Sequence, residues 1–241
     1  MTHYFISDLH LQADRPAMSE GFFDLLARLD DAQSLYILGD FFEVWVGDDY
    51  TDPLVERIQS SLKVLADRGV EIFFMHGNRD FLMGNEFAHA CGATMLDEGT
   101  VINIGNQSAL LMHGDSLCTR DVAYMNMRQL FRHPQWQEQL LSKSLEERLA
   151  MGKQIRSESK SGQQMKADDI MDVTPEEVDK VMDKANVDRL IHGHTHRPDV
   201  HHWQHADTER ERIVLGDWGD DHGWLVRWPD DGLPSLERFG F

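Results

Sequence analysis

Five short motifs, each placed behind an apolar run, constrain this 241-residue chain more than any other feature. They are Asp8-Leu9-His10, Gly39-Asp40, Gly77-Asn78-Arg79-Asp80, His113-Gly114-Asp115 and Gly193-His194-Thr195-His196. The runs before them are Tyr4-Phe5-Ile6, Leu35-Tyr36-Ile37-Leu38, Ile72-Phe73-Phe74-Met75, Leu110-Leu111-Met112 and the shorter Leu190-Ile191. Apolar runs that end in Gly and Asp read as buried strands feeding tight loops. In an open α/β sheet, loops at the carboxyl ends of strands converge on one crevice. The five motifs are thereby expected to meet.

Their side chains are the ones that bind divalent metals through mixed oxygen and nitrogen donors. The seven candidates are Asp8, His10, Asp40, Asn78, His113, His194 and His196. Seven ligands are too many for one ion and enough for two that share a carboxylate. Asp40 is the bridging candidate, because its two oxygens can each serve one ion. Asp8, His10, Asp40 and His196 then form one site, and Asp40, Asn78, His113 and His194 the other. Paired ions of this kind sit roughly 3.5–4 Å apart and clamp the attacking and leaving oxygens of an in-line displacement. The natural reaction is hydrolysis at phosphorus.

Length and composition fit one compact enzyme, since 241 residues can bury a sizeable core. Two cysteines, Cys91 and Cys118, give no disulfide framework, and a reduced buried thiol is expected at Cys118. The chain enters Tyr4 to Ser7 without a basic region and apolar stretch, so no signal peptide is expected. No apolar run approaches the ~18 residues needed to span a bilayer. A reducing, cytoplasmic location follows. The net charge of −19 argues against nucleic-acid binding and against adsorption of the whole surface to anionic lipid.

The charge is uneven. From Arg120 to Lys166 nine Lys and Arg face five Asp and Glu, a local +4 in an acidic chain. The same segment separates the fourth and fifth motifs by more than a βα crossover needs. Residues 121–160 carry apolar positions at helical spacing, and Pro134 divides them into two expected helices with a bend. Ser157 to Lys166 reads as a mobile connection. Thr174-Pro175-Glu176-Glu177 reads as the start of another helix, with Thr174 as cap and Pro175 at its first position. Beyond His196, Ile213 to Trp218 and Gly223 to Trp228 are expected as closing strands of a second sheet. Asp207 to Arg212 reads as a charged turn. His201, His202 and His205 are poor ligand candidates on a surface loop. The expected fold is a four-layer α/β/β/α sandwich, one domain over residues 1–241, with a helical lid inserted at 121–166.

The motif order resembles the calcineurin-like metallophosphoesterase superfamily. Tyr36 to Glu43, Trp45 to Asp49, His76 to Leu82, His113 to Thr119 and His192 to Pro198 narrow the resemblance. They resemble the branch that hydrolyses UDP-2,3-diacylglucosamine in lipid A synthesis. The resemblance implies cleavage of a pyrophosphate by water attack on the α-phosphate, giving UMP and 2,3-diacylglucosamine 1-phosphate. It implies two Mn²⁺, and peripheral association with the cytoplasmic face of the inner membrane without an obligate protein partner. It implies substrate contacts at Asn78, Arg79, Asp121, Ser159, Gln163, Lys166 and His194. Gln163 departs from the pattern, where Asn is expected. Arg79 stands where many relatives of the wider superfamily carry a histidine that protonates an alkoxide. An arginine cannot do that, but its planar fork suits phosphate oxygens. A sugar 1-phosphate leaves readily, so Arg79 suits a pyrophosphate. Asn78, Arg79 and His194 are the expected catalytic residues. The apolar stripe of the lid would cover the acyl chains. Two rival readings remain: another phosphoesterase of the same fold acting on nucleotides, phosphoproteins or nucleic acid, and a scaffold that keeps the fold without catalysis.

Overall fold

The computed structural model describes the backbone of residues 1–163, 170 and 172–241, and the side chains of these residues except 158–163. The first half alternates strand and helix: β1 (Thr2–Ile6), α1 (Pro16–Arg28), β2 (Ala32–Leu38), α2 (Pro53–Asp67), β3 (Glu71–Met75), α3 (Asn85–Ala90) and β4 (Ala93–Leu96). β5 (Thr100–Ile104) and β6 (Gln107–Leu111) follow, then α4 (Val122–Phe131), α5 (Pro134–Leu141), α6 (Leu145–Gln163) and α7 (Pro175–Ala185). The chain closes with β7 (Arg189–His192), β8 (Asp199–His205), β9 (Thr208–Val214), β10 (His222–Pro229) and β11 (Ser235–Gly240).

Two sheets form, in the orders β11-β10-β1-β2-β3-β4 and β5-β6-β7-β9-β8. The pairs β1–β2, β2–β3 and β3–β4 are parallel, as strand–helix–strand crossovers require. Side chains alternate across a strand, and these strands are apolar on both sides. Tyr4, Ile6, Leu35, Ile37, Ile72 and Phe74 therefore pack into one core with α1 and α2. Phe5, Tyr36, Leu38 and Met75 point the other way, against Leu111, Ile191, Ile213 and Trp228. Phe5, Tyr36 and Phe73 stack across three neighbouring strands at 4.7 and 4.8 Å between centroids. The outer face of the second sheet, Leu110 and Leu190, is covered by Val178 and Met182 of α7. The layers are thus helix, sheet, sheet, helix, as expected.

The helices have local causes. Pro53 opens α2, and the Asp52 carboxylate accepts the Val55 N–H at 2.8 Å, an N-cap. Val55, Ile58, Leu62 and Leu65 then fall on its buried face. Pro175 starts α7 behind Thr174, whose side chain makes no cap hydrogen bond to that helix.

Five expectations need correction. The insertion holds three helices rather than two, because Ser144 and Glu147 form a reciprocal capping box that begins α6 after the break at Pro134. The polar stretch from Ser157 is helical as far as Gln163, since Ser, Glu, Lys and Gln are tolerated in a helix and only Gly162 opposes it. Residues 207–212 are not a turn: β9 begins at Thr208, and its charges alternate across the strand. His201, His202 and His205 lie on β8 rather than on a loop. β10 and β11 close the first sheet, not the second, because β10 pairs antiparallel with β1 and buries Val226 and Trp228 between the sheets.

Candidate metal centre

The five motif loops start within a residue or two of the ends of β1, β2, β3, β6 and β7. They hold their side chains by unusual backbone. Asp8, His10, Asp40, His194 and His196 all have positive φ, between 50° and 66°. Only seven non-glycine residues of the described chain do so, and five are proposed ligands. Asp and His tolerate this region better than most residues, yet each still costs energy that the surrounding structure must repay. Two glycines make the close approach possible. A Cβ at Gly77 would lie 2.1 Å from Asp40 Oδ1, and one at Gly193 would lie 2.2 Å from Asp8 Oδ2.

Two clusters result: Asp8, His10 and His196, and Asp40, His113 and His194. In the first, His196 Nε2 lies 3.4 Å from Asp8 Oδ1 and 3.2 Å from His10 Nε2. In the second, Asn78 Oδ1 lies 3.0 Å from His113 Nε2 and 2.8 Å from His194 Nδ1. All seven residues named from the sequence are therefore brought together in two groups. Asp40 sits with the second group, 3.6 Å from His113 Nε2.

The donor set fits divalent cations. Asp8 Oδ1 and His10 Nδ1 are buried and make no hydrogen bond. Such atoms are costly unless a ligand satisfies them. His113 donates Nδ1–H to the Leu38 carbonyl at 2.9 Å, which leaves Nε2 free to coordinate. Proton placement tells the same story. Burial alone would lower the His196 pKa, but the carboxylates of Asp217 and Asp8 beside its two ring nitrogens outweigh it and raise it to about 10. His113 is also raised, against burial, by the charges of Asp40 and Asp8. Burial pushes Asp40 up to about 6 and His194 down to about 3. His10 lies well below its ordinary value through burial and the nearby Arg79. Buried carboxylates thus draw protons onto two rings where a cation would serve better.

Several supporting residues lay inside the motifs but carried no assigned role. The Asp80 carboxylate accepts backbone N–H groups of Gly77 at 2.7 Å, Phe41 at 2.7 Å and Asp40 at 3.3 Å, tying two ligand loops together. Asp217 holds His196 Nδ1 at 3.5 Å. Glu43 accepts from Arg79 Nη1 at 3.0 Å, also pairs with Arg156 of α6, and lies 3.6 Å from His10 Nδ1. Asp115 accepts from Tyr124 and Arg128, which anchors α4 to the fourth motif. A carboxylate closing a Gly-rich turn was the signal for Asp80 and Asp115.

Arg79 reaches the centre, with Nε 3.3 Å from Asp40 Oδ2. Asp121 is buried and caps α4 by accepting the Tyr124 N–H at 3.0 Å. The side chains of Ser159 and Gln163, and all of Lys166, lie outside the described residues. An apolar slot of about 80 Å³ begins at Asn78 and Arg79 and runs between Trp45, Phe81, Leu140 and Ile155. Among the described residues, no helix is long and apolar enough to cross a membrane.

Two facing sheets with metal-ligand loops at their strand ends define a metallophosphoesterase. The family model for calcineurin-like phosphoesterases matches residues 1–198, and the chain belongs to that family. Over almost its whole length it is similar to proteins named UDP-2,3-diacylglucosamine hydrolase. It is 49% identical to that of Chromohalobacter salexigens, covering 100% of this chain and 98% of that one. It is 52% identical to that of Cellvibrio japonicus, covering 97% of each. A structure titled as that of a novel archaeal phosphodiesterase shares the fold, with a TM-score of 0.51 at 11% identity over 100% of both chains.

Proposed function

We propose that this chain hydrolyses the pyrophosphate of UDP-2,3-diacylglucosamine, a step of lipid A biosynthesis, releasing UMP and 2,3-diacylglucosamine 1-phosphate. The observation that carries this reading is the complete seven-residue donor set beside an apolar slot, in a chain about half identical to hydrolases of that name. A scaffold that had lost catalysis would have no use for five ligands held at positive φ.

Two Mn²⁺ are the proposed cofactors, one held by Asp8, His10, Asp40 and His196, the other by Asp40, Asn78, His113 and His194. When bound, such ions polarise phosphate oxygens and make water acidic enough to attack at neutral pH. The chain's own groups do the rest. Asn78 and His194 orient the α-phosphate between the two clusters. Arg79 turns its fork from Glu43 to the phosphate oxygens, where it offsets charge that grows in the transition state. The leaving sugar phosphate needs no strong acid. Asp121, Ser159, Gln163 and Lys166 are proposed to contact the substrate from segment 121–166, which acts as a lid.

The slot explains why a lid is needed. Its 80 Å³ is well below the roughly 300–1,000 Å³ of ordinary ligand pockets. Two acyl chains enter only if α5 and α6 move away from Trp45 and Phe81. The local positive charge of this segment, and Val122 and Leu130 exposed on α4, support peripheral contact with the inner-membrane surface from the cytoplasmic side. The assay is manganese-dependent release of UMP from UDP-2,3-diacylglucosamine, run beside p-nitrophenyl phosphate. UMP release that vanishes in Asp40→Ala, with little ester cleavage, is expected. Ester cleavage without UMP release would keep the metal centre and remove the lipid nucleotide as substrate.

A further inference from the structure

Two cavities of opposite character have lining residues in the ligand loops. The apolar slot is lined in part by Asn78 and Arg79. A polar cavity of about 280 Å³ is lined by Thr195, Arg197, Asp199, His201 and Arg212 and by none of the seven ligands. Thr195 lies between the ligands His194 and His196, and consecutive Cα atoms are about 3.8 Å apart. One lining residue of the polar cavity is therefore next in sequence to a ligand of each cluster.

Its polar groups are incompletely used. Arg212 of β9 is half-buried and stands opposite His201 of β8. It donates Nη1–H to His192 Nε2 at 3.3 Å, and no carboxylate of the described residues lies within ion-pair distance of it. Arg210, two positions earlier on the same strand, is bound by Asp179 and Asp183. In a chain with 42 acidic and 23 basic residues, a half-buried guanidinium that feels Asp172 and Asp199 only beyond ion-pair distance is conspicuous. Thr195 Oγ1 is buried and makes no hydrogen bond. The guanidinium of Arg212 thus lines the cavity with donors to spare.

The acids beside them select the ligand. Asp172 pairs with Arg197 at 3.0 Å. Asp199 is exposed and accepts its neighbour's N–H. A bare phosphate dianion would meet both carboxylates. A neutral heterocycle with carbonyl acceptors and a ring N–H would meet the fork of Arg212 without that repulsion.

We propose that this cavity is the subsite for the uracil and ribose of the nucleotide. The inference rests on the function proposed above, and it fixes the substrate's direction: acyl chains toward Trp45 and Phe81, phosphates at the ligand loops, nucleoside toward β8 and β9.

Two measurements test it. 4-Thio-UMP is photo-crosslinked to the full chain and the labelled peptide is mapped. Label within residues 195–214 is expected; label within 43–46 or 148–156 would overturn the assignment. UMP binding is then titrated calorimetrically in the unsubstituted chain and in Arg212→Gln. At least a tenfold weakening is expected, with orthophosphate failing to displace UMP. Unchanged affinity in a folded Arg212→Gln, or full displacement by orthophosphate, would overturn it. If Arg212→Gln does not fold, the crosslink decides. Label at 195–214 without any UMP release from UDP-2,3-diacylglucosamine would support the subsite and defeat the proposed reaction. UMP release with the label elsewhere would defeat only the subsite.

Discussion

The loops that carry the metal ligands and the helices that lean over them are held by different means. The loops are fixed by backbone: positive φ at five ligands, glycines where carboxylates press close, and the Asp80 carboxylate bonded to three N–H groups. They rest on strands buried on both faces. α4 buries no residue and α5 buries only Leu140. These helices are held by long side chains reaching back to the core. Arg148 donates to the Val46 carbonyl and pairs with Asp49; Arg156 pairs with Glu43; Arg128 pairs with Asp115 and Glu98. Backbone geometry sets positions to fractions of an ångström, as chemistry requires. Side-chain ties allow an element to lift and return, as a bulky substrate requires.

The sharpest way to break this comparison is at a ligand. Asp8→Ala should lower kcat/KM by at least about 1,000-fold, a loss of about 4 kcal/mol of transition-state stabilisation. Circular dichroism and Tm are the controls for folding, because Asp8 Oδ2 also accepts from Ser7 Oγ at 2.6 Å and from the His194 N–H at 2.9 Å. A loss below tenfold would show that Asp8 is not a ligand.

Manganese should stabilise the loops next. At 100 times its dissociation constant a ligand adds about 2.7 kcal/mol, or roughly 5–10 °C in Tm for a chain of this size. Asp40→Ala and His113→Ala should lose most of that gain. Equal gains in the substituted chains would place the ion elsewhere.

A smaller effect is expected in the helical segment. Arg148→Met removes the tie to Val46 and Asp49, and should raise KM for the lipid nucleotide about tenfold, about 1.4 kcal/mol, with kcat within twofold. The exposure of Asp49 keeps this estimate modest. A fall in kcat without a change in KM would mean that α6 organises the chemistry rather than the entry of substrate.

The smallest effect sharpens the core side. Burial pushes the Cys118 thiol up to about 12 and raises Cys91 as well. A raised thiol pKa keeps the neutral, unreactive form at pH 8. Neither cysteine should react with iodoacetamide until the chain is unfolded. Rapid labelling of Cys118 in the native state would show that the fourth motif opens.

Much of the core was legible in the sequence because its causes are local. Tyr4-Phe5-Ile6 and its counterparts are apolar on both faces, and the ligands follow at the next residues. What was hidden depends on pairing between distant segments. Nothing local in Gly223 to Trp228 says that β10 joins β1 rather than β9, because that choice is made by Val226 and Trp228 finding the inter-sheet core. The third helix of the insertion was missed because the Ser144–Glu147 box resembles an ordinary polar turn until both hydrogen bonds are seen. The roles of Glu43 and Asp217 were hidden because each supports a histidine far away in sequence, His10 and His196.

The most direct test of the central claim is anomalous scattering at the manganese edge from crystals of the chain grown with Mn²⁺. Two peaks are predicted, one among Asp8, His10 and His196 and one among Asn78, His113 and His194, with Asp40 between them. A single peak, or peaks away from these loops, would contradict a two-ion centre built by the strand-end motifs.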